Sequence, residues 1–271
     1  MKINKTDTMK QRILLMLTAL MLSLPVMAAP YRYGGPHNYR PSGETFFNGF
    51  GITFGYVNST YSTLDLTTDE RSSSAMLHGF TIGLSKDFTL LQETLYFQTG
   101  LNYIYQNDAR NQNVQALNIR LVGDRTEHHL ALPIRLKYDL YLVDQIGLTF
   151  DAGPTLLMGL SSRFNYRTRL EDETVLSTSY NIHNGKAISK GSSPLFNLED
   201  WMAASGMYPY GNKGIKRFDV MLGASVGAHF FEILEVRLGY DWGLLNRSRK
   251  DVADEYALRR GQFTLSLGLR F

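Results

Sequence analysis

Phe263-Thr-Leu-Ser-Leu-Gly-Leu-Arg-Phe271 is the stretch from which the fold is read. Apolar side chains stand at 263, 265, 267, 269 and 271, with Thr264, Ser266, Gly268 and Arg270 between them. A period of two makes this a β-strand with one wholly apolar face and one small or charged face. A soluble sheet buries its apolar face and sets long polar groups in water. Here the polar face carries Gly and Arg, which suits the lumen of a narrow barrel whose outer wall meets lipid.

Seven earlier segments repeat the pattern. Phe50, Ile52, Phe54 and Tyr56 alternate with Gly51, Thr53, Gly55 and Val57, and His78, Phe80, Ile82 and Leu84 with Gly79, Thr81, Gly83 and Ser85. The third sets Leu95 to Tyr105 against Gln98, Gly100, Asn102 and Ile104; the fourth sets Leu130, Leu132, Ile134, Leu136 and Tyr138 against His129, Ala131, Pro133, Arg135 and Lys137. The fifth covers 147–156, the sixth 219–228 and the seventh 234–243. Each runs about 9–11 residues, the length a tilted strand needs to cross a bilayer.

The connections alternate in length. Those after the first, third, fifth and seventh segments span about 18, 22, 58 and 15 residues, and the others fewer than about ten; an up-and-down barrel gives this ladder, with long outer loops and short periplasmic turns. The expected fold is all-β: an eight-stranded antiparallel up-and-down transmembrane β-barrel with long extracellular loops, the last strand pairing with the first. Outward aromatics then form two interfacial belts, Phe88, Tyr138, Phe230 and Phe271 at the periplasmic end and Tyr56, Tyr103, Tyr105, Tyr240 and Trp242 at the outer end. Inward positions carry Arg135, Lys137, Arg237 and Arg270 against Asp151, Asp219, Glu235 and Asp241. In so narrow a lumen these eight charges are expected to pair, because isolated ions are costly to desolvate. Eight strands leave an interior just filled by side chains, hence a plugged core. Pro133 and Pro154 fall inside strands and lack a ladder donor, so bulges are expected there.

The N-terminus supplies the compartment. Lys2, Lys5, Lys10 and Arg12 precede the apolar run Ile13–Val26, which ends in Met27-Ala28-Ala29. That reads as a secretory signal peptide, residues 1–28, rather than an uncleaved anchor, since about 14 apolar residues are too few to span comfortably. It holds four of the 28 basic residues and one of the 25 acidic ones, which leaves 24 of each. The net charge of +3 therefore gives no argument for a nucleic-acid partner. Cysteine is absent, which excludes disulfides, thiolate metal sites and a lipid-modified cysteine. Residues 29–46, rich in Gly, Pro, Tyr and Arg and including His37, read as a periplasmic arm, and 47–271 as the barrel in a bacterial outer membrane.

An apolar alternation closing on a C-terminal Phe resembles the assembly signal of bacterial outer-membrane barrels and implies the barrel-assembly machinery as a partner, beside outer-membrane lipid. Leu130-Ala-Leu-Pro-Ile-Arg-Leu-Lys-Tyr138, Asp151-Ala-Gly-Pro154, Phe218-Asp-Val-Met-Leu-Gly-Ala-Ser-Val-Gly227 and Arg237-Leu-Gly-Tyr-Asp-Trp-Gly-Leu-Leu-Asn246 together resemble the PorT-like outer-membrane β-barrel family. The resemblance covers about 47–271 apart from loops, implies eight strands, and leaves activity unassigned. The member that lends its name belongs to a protein-secretion apparatus, so envelope protein partners are a second expectation. A small-solute pore is a third.

The 161–217 loop is the most individual part. Phe164–Leu170 and Thr174–Ile182 alternate around Glu171-Asp172-Glu173 and are expected to extend the barrel as a hairpin, with a turn at Asn184-Gly185. Ser193-Pro194 to Met202 reads as a short helix with Pro at its first position. An enzymatic reading would need a nucleophile beside a base. His78, His128 and His129, with Ser74 or Ser162, are the available residues, and no motif frames them. Adjacent His128 and His129 face opposite sides of a strand and do not make a metal site. No catalytic residue, cofactor or metal is expected, and the barrel is read as a non-enzymatic structural or binding protein acting through its outer loops.

Overall fold

The computed structural model describes residues 49–73, 76–91, 94–114, 119–143, 146–170, 173–183, 186–190, 215–231, 233–248 and 256–271. The expected signal peptide, the expected arm with His37, Ser74, Glu171-Asp172, the expected turn at Asn184-Gly185 and the expected helix over 193–202 lie outside them. Among the described residues the strands are β1 (Phe50–Asp65), β2 (Arg71–Ser73), β3 (Leu77–Leu91), β4 (Leu95–Val114), β5 (Ile119–Val143), β6 (Ile146–Leu170), β7 (Glu173–Asn181), β8 (Lys186–Lys190), β9 (Phe218–Phe230), β10 (Leu234–Gly243) and β11 (Tyr256–Arg270).

Eight of these close a ring. Taken in chain order, β1, β3, β4, β5, β6, β9, β10 and β11 each pair antiparallel with the next. β1 closes on β11, with Gly51 opposite Arg270 and Val57 opposite Thr264. Closure satisfies backbone groups that an open edge would leave in lipid. The outward face is apolar: Phe54, Ile82, Leu136, Phe150, Leu222 and Leu267 are all exposed, whereas the inward Lys137, Arg260 and Asp219 are buried. Polar inside and apolar outside is the reverse of a soluble core.

The strands are longer than the sequence suggested. β5 and β6 have 25 residues each, about 80 Å of chain against an apolar band roughly 25 Å tall. The apolar alternation stops where lipid stops, but the backbone ladder has no reason to. Beyond the wall, β6 pairs with β7 and β7 with β8, so the expected hairpin is present; β2 pairs with the upper part of β1.

The prolines are accommodated without the expected bulges. On both edges of β5 the register is the same on either side of Pro133, and the ladder pairs at Pro133 toward β4 and at Pro154 toward β5 are simply missing. A skipped ladder pair removes the need for the absent N–H. Gly153 completes the arrangement, because at φ 154° an added Cβ would stand 2.2 Å from the Ile134 carbonyl oxygen. Only glycine fits there. The bulge of consequence lies higher, where His128 faces Ser161 but His129 faces Gly159. Leu160 is the extra residue, and it reverses the parity of β6. Below it Thr155 and Leu157 point inward, and above it Ser162 and Phe164 do.

Candidate functional site

The lumen is filled by three layers. At the periplasmic end, Arg270 bridges Asp139 at 2.9 Å, Asp87 at 3.2 Å and Glu235 at 3.4 Å. Lys137 lies 2.7 Å from Asp87 and 3.8 Å from Glu235. Arg237 pairs with Glu235 at 2.6 Å and Asp151 at 3.2 Å and donates to the Gln98 carbonyl at 2.8 Å. Arg135 pairs with Asp241 and donates to Thr155 at 2.8 Å. Gly223 makes room for that pair, since a Cβ would meet Asp241 Oδ1 at 2.1 Å.

Above these charges sits an apolar layer of Val57, Ile104, Ala131, Leu157 and Met221, all nearly inaccessible. On β1, β4, β5 and β6 the apolar residue falls between the lower polar set and an upper one.

The upper layer is built around Glu127. Arg125 donates to it at 2.5 Å, Tyr61 at 2.8 Å and Ser162 at 3.0 Å, and Arg260 stands 3.4 Å away. Arg260 also donates to His129 Nε2 at 2.7 Å and Ser59 at 2.9 Å, and to Gln106. Tyr61 accepts from Arg247 at 3.0 Å, with the guanidinium groups of Arg125, Arg247 and Arg260 over or beside its ring. Asp219 sits 3.9 Å from Arg247. Glu127 and the three guanidinium groups thus meet opposite charge or hydrogen bonds at close range, as burial demands, whereas the Asp219 oxygens are buried with Arg247 as their charge partner but no hydrogen bond among the described residues. In the β7–β8 connection His183 holds the Ile215 carbonyl at 3.1 Å, and burial pushes its imidazole below the ordinary range.

Of the eight charges named from the sequence, Arg135, Lys137, Asp151, Glu235, Arg237, Asp241 and Arg270 meet in the lower layer. Asp219 does not join them; it belongs to the upper layer with Arg247. Asp87 and Asp139 complete the lower layer, and Glu127, Arg125, Arg247 and Arg260 the upper one. Sequence reasoning missed these because it ended each strand with its apolar run. The inward parity was there to extend, through Ser59-Tyr61-Thr63, Glu127-His129 and Arg260-Gln262.

On the outside, Tyr56, Tyr138, Tyr240, Trp242 and Phe271 are exposed, and Phe88, Tyr103, Tyr105 and Phe230 are half-buried against neighbours. His128 and His129 do face opposite sides: His129 is fully buried and His128 meets the Tyr103 hydroxyl at 2.6 Å outside. His78 is exposed and bonded to Tyr56. Ser162 is buried on Glu127. Among the described residues no cluster of three or more His, Asp or Glu is arranged to hold a metal ion.

A family model described as outer membrane protein beta-barrel domain matches residues 48–248. Comparison with curated proteins finds no match. Among solved structures, the attachment invasion locus protein Ail of Yersinia pestis is 11% identical, with 83% of this chain and 99% of that one covered at a TM-score of 0.38. Neisserial surface protein A is 9% identical over 83% and 98% of the chains, with a TM-score of 0.36. The outer membrane enzyme PagL is 10% identical over 79% and 99%, with a TM-score of 0.38.

Glu127→Leu should destabilise the barrel by about 3–5 kcal/mol, because it strands Arg260 and Arg125 without their carboxylate. Adding Arg260→Met should recover part of that loss. Urea unfolding of both variants in detergent micelles checks this; equal losses in the single and double variants would contradict it.

Proposed function

The chain belongs to the outer membrane protein beta-barrel domain family, and from that premise we propose a non-catalytic barrel with a closed lumen, acting as a structural or binding protein through its outer surface. The observation that carries this reading is the filled interior. Two ion-paired layers and an apolar layer between them occupy it, and a cavity near the periplasmic mouth holds about 30 Å³. That is room for about one water molecule. A small-solute pore requires a continuous wet path, and the ring of Val57, Ile104, Ala131, Leu157 and Met221 lies across it.

The non-catalytic part rests on how the hydroxyls and imidazoles are committed. Outside, His78 and His128 are bonded to tyrosines. Inside, the Thr149 hydroxyl beside His229 donates to Asp139 at 2.7 Å and so has no proton to give the imidazole. A nucleophile needs its proton directed at the base. In this proposal residues 1–28 are removed on export, 29–46 form a periplasmic arm, and the C-terminal strand is handled by the barrel-assembly machinery.

PorT-like membership, with a place in a protein-secretion complex, is the second reading. It is favoured by the sheet that β4, β5, β6, β7 and β8 carry beyond the wall, a platform larger than a plain barrel needs. In-cell cross-linking from Asn165 that captured no envelope protein would sink it. For the closed lumen, reconstituted protein in planar bilayers should show no discrete conductance steps; reproducible steps from the folded chain would overturn the proposal.

A further inference from the structure

Outside the wall, just above the apolar band, Tyr56, Met76, His78, Tyr105, Asn107 and Asp108 surround an open pocket of about 720 Å³. This is within the size range of ligand sites. It belongs to neither the lumen layers nor the outer sheet. The backbone of Gly79 also borders it.

His78 is held in one orientation. Its Nδ1 lies 3.0 Å from the Asn58 amide nitrogen and 2.5 Å from the Tyr56 hydroxyl. An amide nitrogen only donates, so Nδ1 accepts and the ring hydrogen sits on Nε2, a donor. Asn107 offers both donor and acceptor. The Tyr56 and His78 rings stack at 6.1 Å, and Tyr105 lies edge-on to His128 at 5.3 Å. Flat amphipathic rings beside directional polar groups match a sugar, whose ring has an apolar face and a rim of hydroxyls. Among the described residues neither Lys nor Arg lines the pocket, which disfavours a phosphate.

The wall below identifies the source. Phe80 lies tilted against Tyr105 at 5.3 Å and stacks on Phe54 at 6.4 Å, and Phe80, Ile82 and Leu84 continue as an exposed apolar strip. An acyl chain lying on that strip brings its headgroup to the pocket. We propose that this pocket binds the uncharged sugar headgroup of an outer-leaflet glycolipid. The proposal rests on the membrane-barrel reading and names a ligand class for its binding role.

The test uses the full chain folded in amine-oxide micelles, with the backbone amide resonances of Gly79 and Asn107 followed by NMR during titration with dodecyl maltoside, dodecyl phosphate or free maltose. Heat-modifiable migration on a gel monitors the barrel separately, so loss of the fold and loss of the site are distinguishable. The maltoside should give a saturable shift, weakened about tenfold by His78→Ala or Tyr105→Ala, as expected for one lost hydrogen bond or ring contact. Tyr56→Phe, which keeps the ring and frees His78, should weaken it to a smaller extent. The phosphate should bind less tightly and free maltose should give no saturation. Equal or tighter binding of the phosphate, saturation by free maltose, or a shift insensitive to all three substitutions would overturn the proposal.

Discussion

Ionised side chains inside a barrel this narrow have too little water to solvate them, and that constraint organises the molecule. Desolvating a carboxylate or guanidinium alone costs several kcal/mol, so each must find opposite charge or donors across the lumen. Five carboxylates (Asp87, Asp139, Asp151, Glu235, Asp241) meet four bases (Arg135, Lys137, Arg237, Arg270) below. Two carboxylates (Glu127, Asp219) meet three bases (Arg125, Arg247, Arg260) above. The two imbalances are opposite, so these seven carboxylates and seven bases balance in formal charge. Neither layer is complete without residues from several strands, so pairing also locks the register.

Glycine and bulge placement follow from the same demand. Gly223 leaves space for Asp241 to reach Arg135, and the extra Leu160 turns Ser162 inward onto Glu127. The apolar layer separates two polar networks that would otherwise share water. The wall outside remains lipid-facing and apolar, and the features with freedom to recognise anything lie at and above its outer rim.

Much of this was legible in the residues. Phe263–Phe271 and its seven counterparts gave strand number, face and closure, because the lipid-facing alternation repeats and the loop lengths alternate. The lower charge layer was visible in part, since Arg135, Lys137, Arg237 and Glu235 share the inward parity. What parity does not carry is height: Asp219 has the right face but stands near Arg247, above Met221. Strand ends were misjudged for a similar reason, as lipid sets where apolar residues stop and not where pairing stops, which hid Glu127 and Arg260. The bulge at Leu160 left a trace, the switch from outward Leu156, Met158 and Leu160 to inward Phe164, whereas the prolines pointed to bulges that the skipped ladder pairs made unnecessary.

The chain has no cysteine, so a single one placed at Met221, in the middle of the apolar layer and fully inaccessible, reports directly on whether the lumen is sealed. A small water-soluble maleimide applied to the folded Met221→Cys barrel in lipid vesicles should leave the thiol unmodified, with full modification after unfolding. Modification of the folded barrel at the unfolded rate would mean that water reaches the middle layer, and would contradict the closed lumen on which the account depends.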